Sequence, residues 1–462
     1  MDDSGTRVRA RRGASGASEP IDIDGLVARF GDRTATIAVI GLGYVGLPLM
    51  RAAAERGFHA LGFDVDRAKV DTLNAGGSYI RHISPECIAE LRHTGRLAAT
   101  ADFSRLGEAD AIILCVPTPL TRQREPDLTF VVRTTESVAP HLRRGQLVVL
   151  ESTTYPGTTR DVMQPILEQS GLRSGRDFFL AYSPEREDPG NADFGTRDIP
   201  KVVGGDGPEA LRLACALYDQ VVTRTVPVSS LQVAEAVKLT ENIFRSVNIA
   251  LVNELKTVFE AMGIDVWEVI EAAKTKPFGY MPFYPGPGLG GHCIPIDPFY
   301  LTWKAREFNI ATRFIELAGE VNTAMPQRVV DKAVEALSER AGRALKGARA
   351  LVIGVAYKKN VDDTRESPAL KIMELLERRG AKVGFHDPFV PEIPPTREHP
   401  EFAGRRSVPL TAAALREFDL AIICTDHDSV DYALLIDSCA LTIDTRNACA
   451  RRGLCGERLV KA

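Results

Sequence analysis

The residues Thr36-Ile37-Ala38-Val39-Ile40-Gly41-Leu42-Gly43-Tyr44-Val45-Gly46-Leu47-Pro48 decide the fold. The first five are apolar and rich in β-branched side chains, the signature of a buried strand. An Ala-rich stretch with helical character follows Pro48. Between them lies G-x-G-x-x-G in the setting its chemistry requires. Gly41 allows the tight turn, Gly43 lets the backbone approach a pyrophosphate, and Gly46 lets helix and strand pack closely. The helix N-terminus turns unpaired N–H groups and a partial positive charge toward the phosphates. A second strand, His59–Phe63, ends at Asp64. A carboxylate there accepts hydrogen bonds from ribose hydroxyls and repels a 2′-phosphate, which favours NAD over NADP. Arg67 and Lys69, just beyond it, carry the opposite sign.

Further short apolar runs follow at 111–116, 147–150, 178–181 and 201–203, separated by helical patterns. Such alternation predicts a parallel, doubly wound sheet. Near residue 230 it stops. Leu231 to Met262 has helical periodicity without Gly or Pro, and Gly263 is placed to cap it. A loop dense in Pro and Gly, 276–291, and more helix to about residue 340 come next. Alternation resumes at Ala350-Leu351-Val352-Ile353-Gly354, with a helix over 367–379 and strands at 382–386 and 420–425. The turn at Gly354 lacks the full G-x-G-x-x-G, so this second domain is expected to hold something other than a dinucleotide. The expected organisation is an unstructured extension over 1–33, an NAD-binding domain over 34–228, a central helical domain over 229–340 and a second α/β domain over 341–462. The fold class is thus α/β, two Rossmann-like doubly wound domains joined by a long central helix.

Composition bounds the function without naming it. The chain has 462 residues, 57 basic and 61 acidic, for a formal net charge of −4. So even a balance carries no overall footprint for nucleic acid or an anionic membrane. No apolar run approaches the roughly 18 residues of a membrane span. Residues 1–30 lack the apolar core of a signal peptide, and the basic cluster Arg7 to Arg12 reads as part of a solvated tail. A reducing, cytoplasmic setting follows as the expectation. The eight cysteines form no CxxC pair and suggest no metal site.

One cysteine stands apart. Cys293 lies in Gly286-Pro287-Gly288-Leu289-Gly290-Gly291-His292-Cys293-Ile294-Pro295-Ile296-Asp297-Pro298, where glycines permit close backbone approach to a ligand. It is a candidate nucleophile, and a thiol packed in a turn is the competing reading. Lys238, Asn242, Arg245 and Ile249 share one face of the long helix, grading from polar to apolar as a helix lining a site would. Glu241 and Glu254 read as solvated. Three polar segments sit where strands should end: Cys115-Val116-Pro117-Thr118-Pro119, Glu151-Ser152-Thr153-Thr154-Tyr155-Pro156-Gly157 and Tyr182-Ser183-Pro184-Glu185-Arg186. Ligands of open α/β sheets bind at such edges.

Together GLGYVGLP, VPTP, ESTTYPGT, SPER, the Lys238–Asn242 helix, GGHCIPIDP and DDTRESPA resemble the UDP-glucose/GDP-mannose dehydrogenase family, over nearly everything after residue 34. Residues 278–305 are most similar to members acting on UDP-N-acetylglucosamine. The resemblance implies oxidation of the C6 alcohol of a UDP-sugar to a carboxylate with two NAD⁺, for surface polysaccharide precursors, by a protein dimerising through its long helix. It implies Cys293 as nucleophile, Lys238 and Asn242 at the oxyanion, Asp297 and Thr118 in water positioning and proton transfer, and Glu185 in thioester hydrolysis. Cofactor contacts fall on Gly41, Gly43, Tyr44, Val45, Gly46, Asp64, Lys69, Thr118, Glu151, Thr153 and Arg365. Substrate contacts fall on Glu185, Arg186, Lys238, Asn242, Arg245, Phe278, Tyr280, Gly290, Lys358 and Arg365. One departure, Pro189 where UDP-glucose enzymes often carry a second glutamate, argues against plain UDP-glucose. UDP-N-acetylmannosamine and UDP-glucose remain the alternatives. A two-electron hydroxyacid dehydrogenase would not need Cys293, and a non-catalytic NAD-binding protein would not need the Cys/Lys/Asn/Asp set.

Overall fold

Strands β1 (Thr36–Ile40), β2 (His59–Phe63), β3 (Leu97–Thr100), β4 (Ala111–Leu114), β5 (Leu147–Leu150), β6 (Phe179–Tyr182), β7 (Lys201–Gly205) and β8 (Thr225–Val228) form one sheet in the order β3-β2-β1-β4-β5-β6-β7-β8. A second sheet contains β9 (Arg349–Ile353), β10 (Lys382–His386), β11 (Leu420–Ile423), β12 (Thr442–Asp444) and β13 (Leu459–Lys461), in the order β10-β9-β11-β12-β13. This computed structural model describes residues 20–80, 83–121, 123–186, 198–291 and 293–462. The Arg7–Arg12 cluster and Pro189 lie outside the described residues.

The central strands are buried on both faces, as apolar runs flanked by helices must be. All pairings among the described strands are parallel save one: β7 runs antiparallel to β6, with Tyr182 opposite Gly204. The expected parallel, doubly wound sheet thus carries one antiparallel pairing. Neither Gly204 nor Gly205 could carry a Cβ, because Ser230 and Leu211 press against them. A correction concerns residues 20–33, expected to be unstructured. Ile23–Gly31 is a helix, capped by the Asp22 carboxylate accepting from Gly25 N–H. It buries Phe30, and its Arg29 pairs with buried Asp110 at the foot of the sheet.

The connector helix, Leu231–Ala261, begins at a Ser230 cap and runs 31 residues without a break. It packs along helix Arg313–Ala341, and a buried amide ladder fixes their register. Asn253 Nδ2 donates to Asn322 Oδ1 at 2.9 Å, and Asn322 Nδ2 donates to Ser246 O at 3.1 Å. Among the described residues no helix is long and apolar enough to cross a membrane.

Candidate active site

The glycine turn after β1 has the shape of a phosphate cradle. Gly41 sits at φ +91°, and a Cβ there would come within 2.5 Å of Cys115 O. A Cβ on Gly46 would collide with Gly41 O, so only glycine lets helix Gly46–Glu55 start this close to the strand. Gly43 faces open space. The helix has no side-chain cap, which leaves the positive end of its dipole open to an anion, although Leu47 N–H and Leu49 N–H already donate to Gly43 O and Val45 O at 3.1 and 3.2 Å. Asp64 Oδ2 accepts from Leu42 N–H at 3.0 Å and lies 3.4 Å from Lys69 Nζ. The cradle, the uncapped helix and the carboxylate closing β2 fit a dinucleotide with free ribose hydroxyls. Tyr44 is partly exposed above this turn, with the Arg365 guanidinium 5.0 Å from its ring centre.

Across the cleft, the loop before Cys293 is threaded between domains. Gly286 N–H donates to Asn253 Oδ1 of the connector helix at 3.0 Å, and Gly291 N–H donates to Arg365 O at 3.1 Å. A Cβ on Gly290 would press on Tyr357 and Pro368, so this glycine packs against the second domain. Cys293 follows, its side chain reachable from solvent yet crowded by protein. Burial, then the charge of Asp297, pushes its thiol up to about 11, with Lys238, Arg365 and Arg245 pulling the other way. Cys293 O accepts from Asp297 N–H at 2.8 Å, starting helix Asp297–Arg306.

Asp297 is buried and accepts from Asn242 Nδ2 at 2.6 Å. Burial raises its carboxyl to about 7, with Lys238 and Asn242 opposing. Such a group can accept or return a proton near neutral pH. Lys238 is buried on the same helix as Asn242. One turn beyond Asp297, the Tyr300 hydroxyl donates to Thr118 O at 2.6 Å, so the helix that bears Asp297 also holds the Thr118 loop. Lys238, Asn242, Cys293, Asp297 and Thr118 are therefore brought close together. Arg245 is exposed on the connector helix, Thr153 and Lys358 are half-buried, and Phe278 and Tyr280 are exposed on their loop.

Two residues sit otherwise than expected. Glu151 was expected among the cofactor contacts, but its side chain is enclosed. Its oxygens accept from the Tyr218 hydroxyl at 2.5 Å and Lys201 Nζ at 3.1 Å. Glu241, expected to be solvated, pairs with Arg186, which donates to its two oxygens at 2.6 and 3.3 Å. That contact ties the loop after β6 to the connector helix beside Asn242. Glu254 is exposed, as read. Sequence reasoning missed Lys201, Tyr300 and Asn253. Lys201 looked like an ordinary strand residue, and only the acidic side chains at the ends of β5 and β6 hinted at its partners.

Comparison with known proteins completes the picture. Residues 35–222 match the NAD binding domain of the UDP-glucose/GDP-mannose dehydrogenase family, 232–324 its central domain and 351–451 its UDP binding domain. The chain belongs to this family. It is an oxidoreductase with NAD as cofactor and a UDP-sugar as substrate class. A UDP-N-acetyl-D-glucosamine 6-dehydrogenase of Pseudomonas aeruginosa is 40% identical over 358 residues, 77% of this chain and 83% of the relative. A UDP-N-acetyl-D-mannosamine dehydrogenase of Pyrococcus horikoshii is 38% identical over 77% of this chain and 84% of its own length. A solved UDP-D-ManNAc dehydrogenase structure from Pyrococcus horikoshii superposes with a TM-score of 0.82 at 34% identity, covering 92% of this chain and 98% of that one.

Proposed function

We propose that the protein oxidises the C6 hydroxyl of a UDP-N-acetylhexosamine, UDP-N-acetylglucosamine first, to the uronic acid through a covalent Cys293 adduct. The observation that carries this is an accessible Cys293 beside buried Lys238 and the Asn242–Asp297 pair. NAD, when bound, accepts one hydride in each of two successive oxidations. Asp297, with its carboxyl near 7, takes the proton released from the alcohol or the thiol. Cys293 Sγ then bonds to the aldehyde carbon as a thiohemiacetal, so the aldehyde stays captive between oxidations. The Lys238 ammonium and the Asn242 N–H not given to Asp297 stabilise the oxyanion. After the second oxidation, Glu185 directs water onto the thioester, and the C–S bond breaks.

The acetamido sugar is supported by the glucosamine and mannosamine relatives, and UDP-N-acetylmannosamine is the second reading. The test counts NADH formed per sugar with UDP-N-acetylglucosamine, UDP-N-acetylmannosamine and UDP-glucose. Two NADH from an acetamido sugar are expected, and Cys293→Ala abolishes acid formation. Full two-NADH stoichiometry in that variant would refute the adduct.

We infer a homodimer, and the connector helix supports it. Phe244, Leu251 and Val258 recur every seven residues on it and are about half exposed, and Phe314 and Leu317 are exposed on helix Arg313–Ala341. An apolar stripe of this length is expected to be covered by a second copy. Sedimentation at the mass of a single 50.4 kDa chain would contradict it. A cytoplasmic location is supported by eight free cysteines and by nucleotide substrates of the cell interior, and cell fractionation checks it.

A further inference from the structure

A buried charge cluster behind the carboxyl edge of the first sheet holds Glu185 to two groups, Lys201 and Glu151, that the chemistry above does not use. Lys201 opens β7 and is 4% exposed. Its Nζ lies 3.1 Å from Glu151 Oε2, at the end of β5, and 3.2 Å from Glu185 Oε2, beyond the end of β6. Tyr218 of helix Pro208–Val221 braces it, with the hydroxyl on Glu151 and the ring centre 5.1 Å from Nζ. Glu185 Oε1 accepts from Arg186 N–H at 2.7 Å, and Arg186 continues to Glu241 on the connector helix. The groups facing this cluster from neighbouring elements, among the described residues, are Tyr218, Cys115, Arg186 and Glu241.

One ammonium thus lies between two carboxylates of different surroundings. Glu151 is enclosed, and burial raises its carboxyl, while Glu185 keeps partial access to solvent at the strand ends. Burial alone would lower the Lys201 ammonium, but the two carboxylates outweigh it and hold it charged. Remove the cation and the two carboxylates repel, so that one must take a proton.

We propose that Lys201 is a positioning residue for Glu185: it keeps this carboxylate ionised and directed at water in the hydrolytic half of the reaction, while both oxidations proceed without it. The inference rests on the Cys293 adduct proposed above. In the step concerned, Glu185 removes a proton from water and the water oxygen bonds to the thioester carbon. The oxyanion then collapses, the C–S electron pair leaves with Cys293 Sγ, and the proton on Glu185 passes to the thiolate. The products are the sugar carboxylic acid and the free thiol, and no oxidant is consumed.

The experiment uses the full-length protein with NAD⁺ and the sugar that the wild type oxidises. Lys201→Met is expected to give a fast burst of about two NADH per site, followed by a steady rate lowered about 10²-fold. Acid-quenched mass spectrometry is expected to find the sugar acyl group on Cys293, and Lys201→Arg to restore part of the steady rate. An unchanged steady rate overturns the proposal. So does a burst slowed as much as the steady rate with no adduct, which is the pattern of a purely structural role. Should Lys201→Met not fold, Glu151→Gln decides. Lys201 then serves Glu185 alone, and the acid limb of the steady rate moves to lower pH; an unmoved limb overturns the proposal. A wild type that yields only one NADH per sugar would sink the Cys293 reading itself, whereas normal wild-type turnover with an unaffected Lys201→Met sinks only the role of Lys201.

Discussion

The turn after β1 and the turn after β9 start from one geometry and end in two uses. Gly41 N–H donates to Phe63 O at 2.8 Å, and Gly354 N–H donates to His386 O at 2.8 Å. Both glycines have positive φ, +91° and +79°, and a Cβ on either would come within 2.5 Å of a carbonyl of the neighbouring strand end, Cys115 O or Thr425 O. An aspartate closes the second strand in each case, and it accepts from the residue after the glycine: Leu42 N–H to Asp64 at 3.0 Å, Val355 N–H to Asp387 at 2.7 Å. The chains then part. Gly41-Leu42-Gly43-Tyr44-Val45-Gly46 enters a helix at once, whereas Gly354-Val355-Ala356-Tyr357-Lys358-Lys359 runs out in a long excursion before helix Pro368–Arg378 begins. That excursion carries Asp362-Asp363-Thr364-Arg365 to the first domain, where Arg365 lies over Tyr44 and holds the loop of Cys293. Where the first turn has Gly43 and Gly46 and enters a helix, the second has Ala356 and Lys359 and extends as an arm toward the neighbouring site.

The largest effect expected from this difference lies at Gly46. In Gly46→Ala the new Cβ meets Gly41 O, which is backbone and cannot swing away, and Cys115 Cβ at 3.2 Å. The helix must withdraw from the turn, and NAD affinity should fall about 10²-fold or more, close to 3 kcal/mol. Lys359 stands at the same distance from Gly354, but it is exposed and only 3.5 Å paired with exposed Asp428. Lys359→Ala should change stability by less than about 0.5 kcal/mol. Titrating NAD by fluorescence and melting both variants checks the contrast, and near wild-type NAD binding by Gly46→Ala would break it.

How much of this was legible depended on where the information lies along the chain. The turn after β1 is a local pattern, and its glycines, strand and Asp64 all fall within thirty residues of sequence. The same holds for the connector helix and the loop of Cys293. Strands β3, β8, β12 and β13 went unread because three or four residues such as Leu97–Thr100 are too short to show a period. Helix Ile23–Gly31 was missed because the Arg-, Ser- and Gly-rich residues before it set the expectation for the whole extension. The enclosure of Glu151 was illegible for a different reason. It depends on Lys201 and Tyr218, which reach it from other strands and helices, and no local spacing records that meeting.

The two aspartates offer the finer test, because geometry makes them alike and surroundings make them different. Asp387 is buried and takes N–H groups from Val355, Ala356, Phe389 and Val390, at 2.7 to 3.1 Å. It also takes Nε2–H of buried His427 at 3.1 Å, a tautomer fixed by Asn360 N–H donating to Nδ1. Burial alone would raise its carboxyl, but the imidazole and the backbone donors hold it below the usual value. A depressed carboxyl stabilises the fold at neutral pH, and that contribution is lost as pH falls through its folded-state value, below about 4. In Asp387→Asn one amide N–H₂ must face donors it cannot accept from, at a cost of about 3 kcal/mol. The variant should melt well below wild type at pH 7, with the gap narrowing only as the pH falls below about 4, while its folded fraction binds NAD normally. Among the described residues Asp64 accepts two backbone N–H groups, from Leu42 and Asp66, and its lysine partner is half-exposed. Asp64→Asn should cost about 1 kcal/mol of stability and about tenfold in NAD affinity, through the weaker bond to the ribose hydroxyls. Paired melting curves and NAD titrations separate the two. If Asp387→Asn weakened NAD as much as Asp64→Asn did, the second turn would be acting as a cofactor site, and the division between cradle and arm would fail.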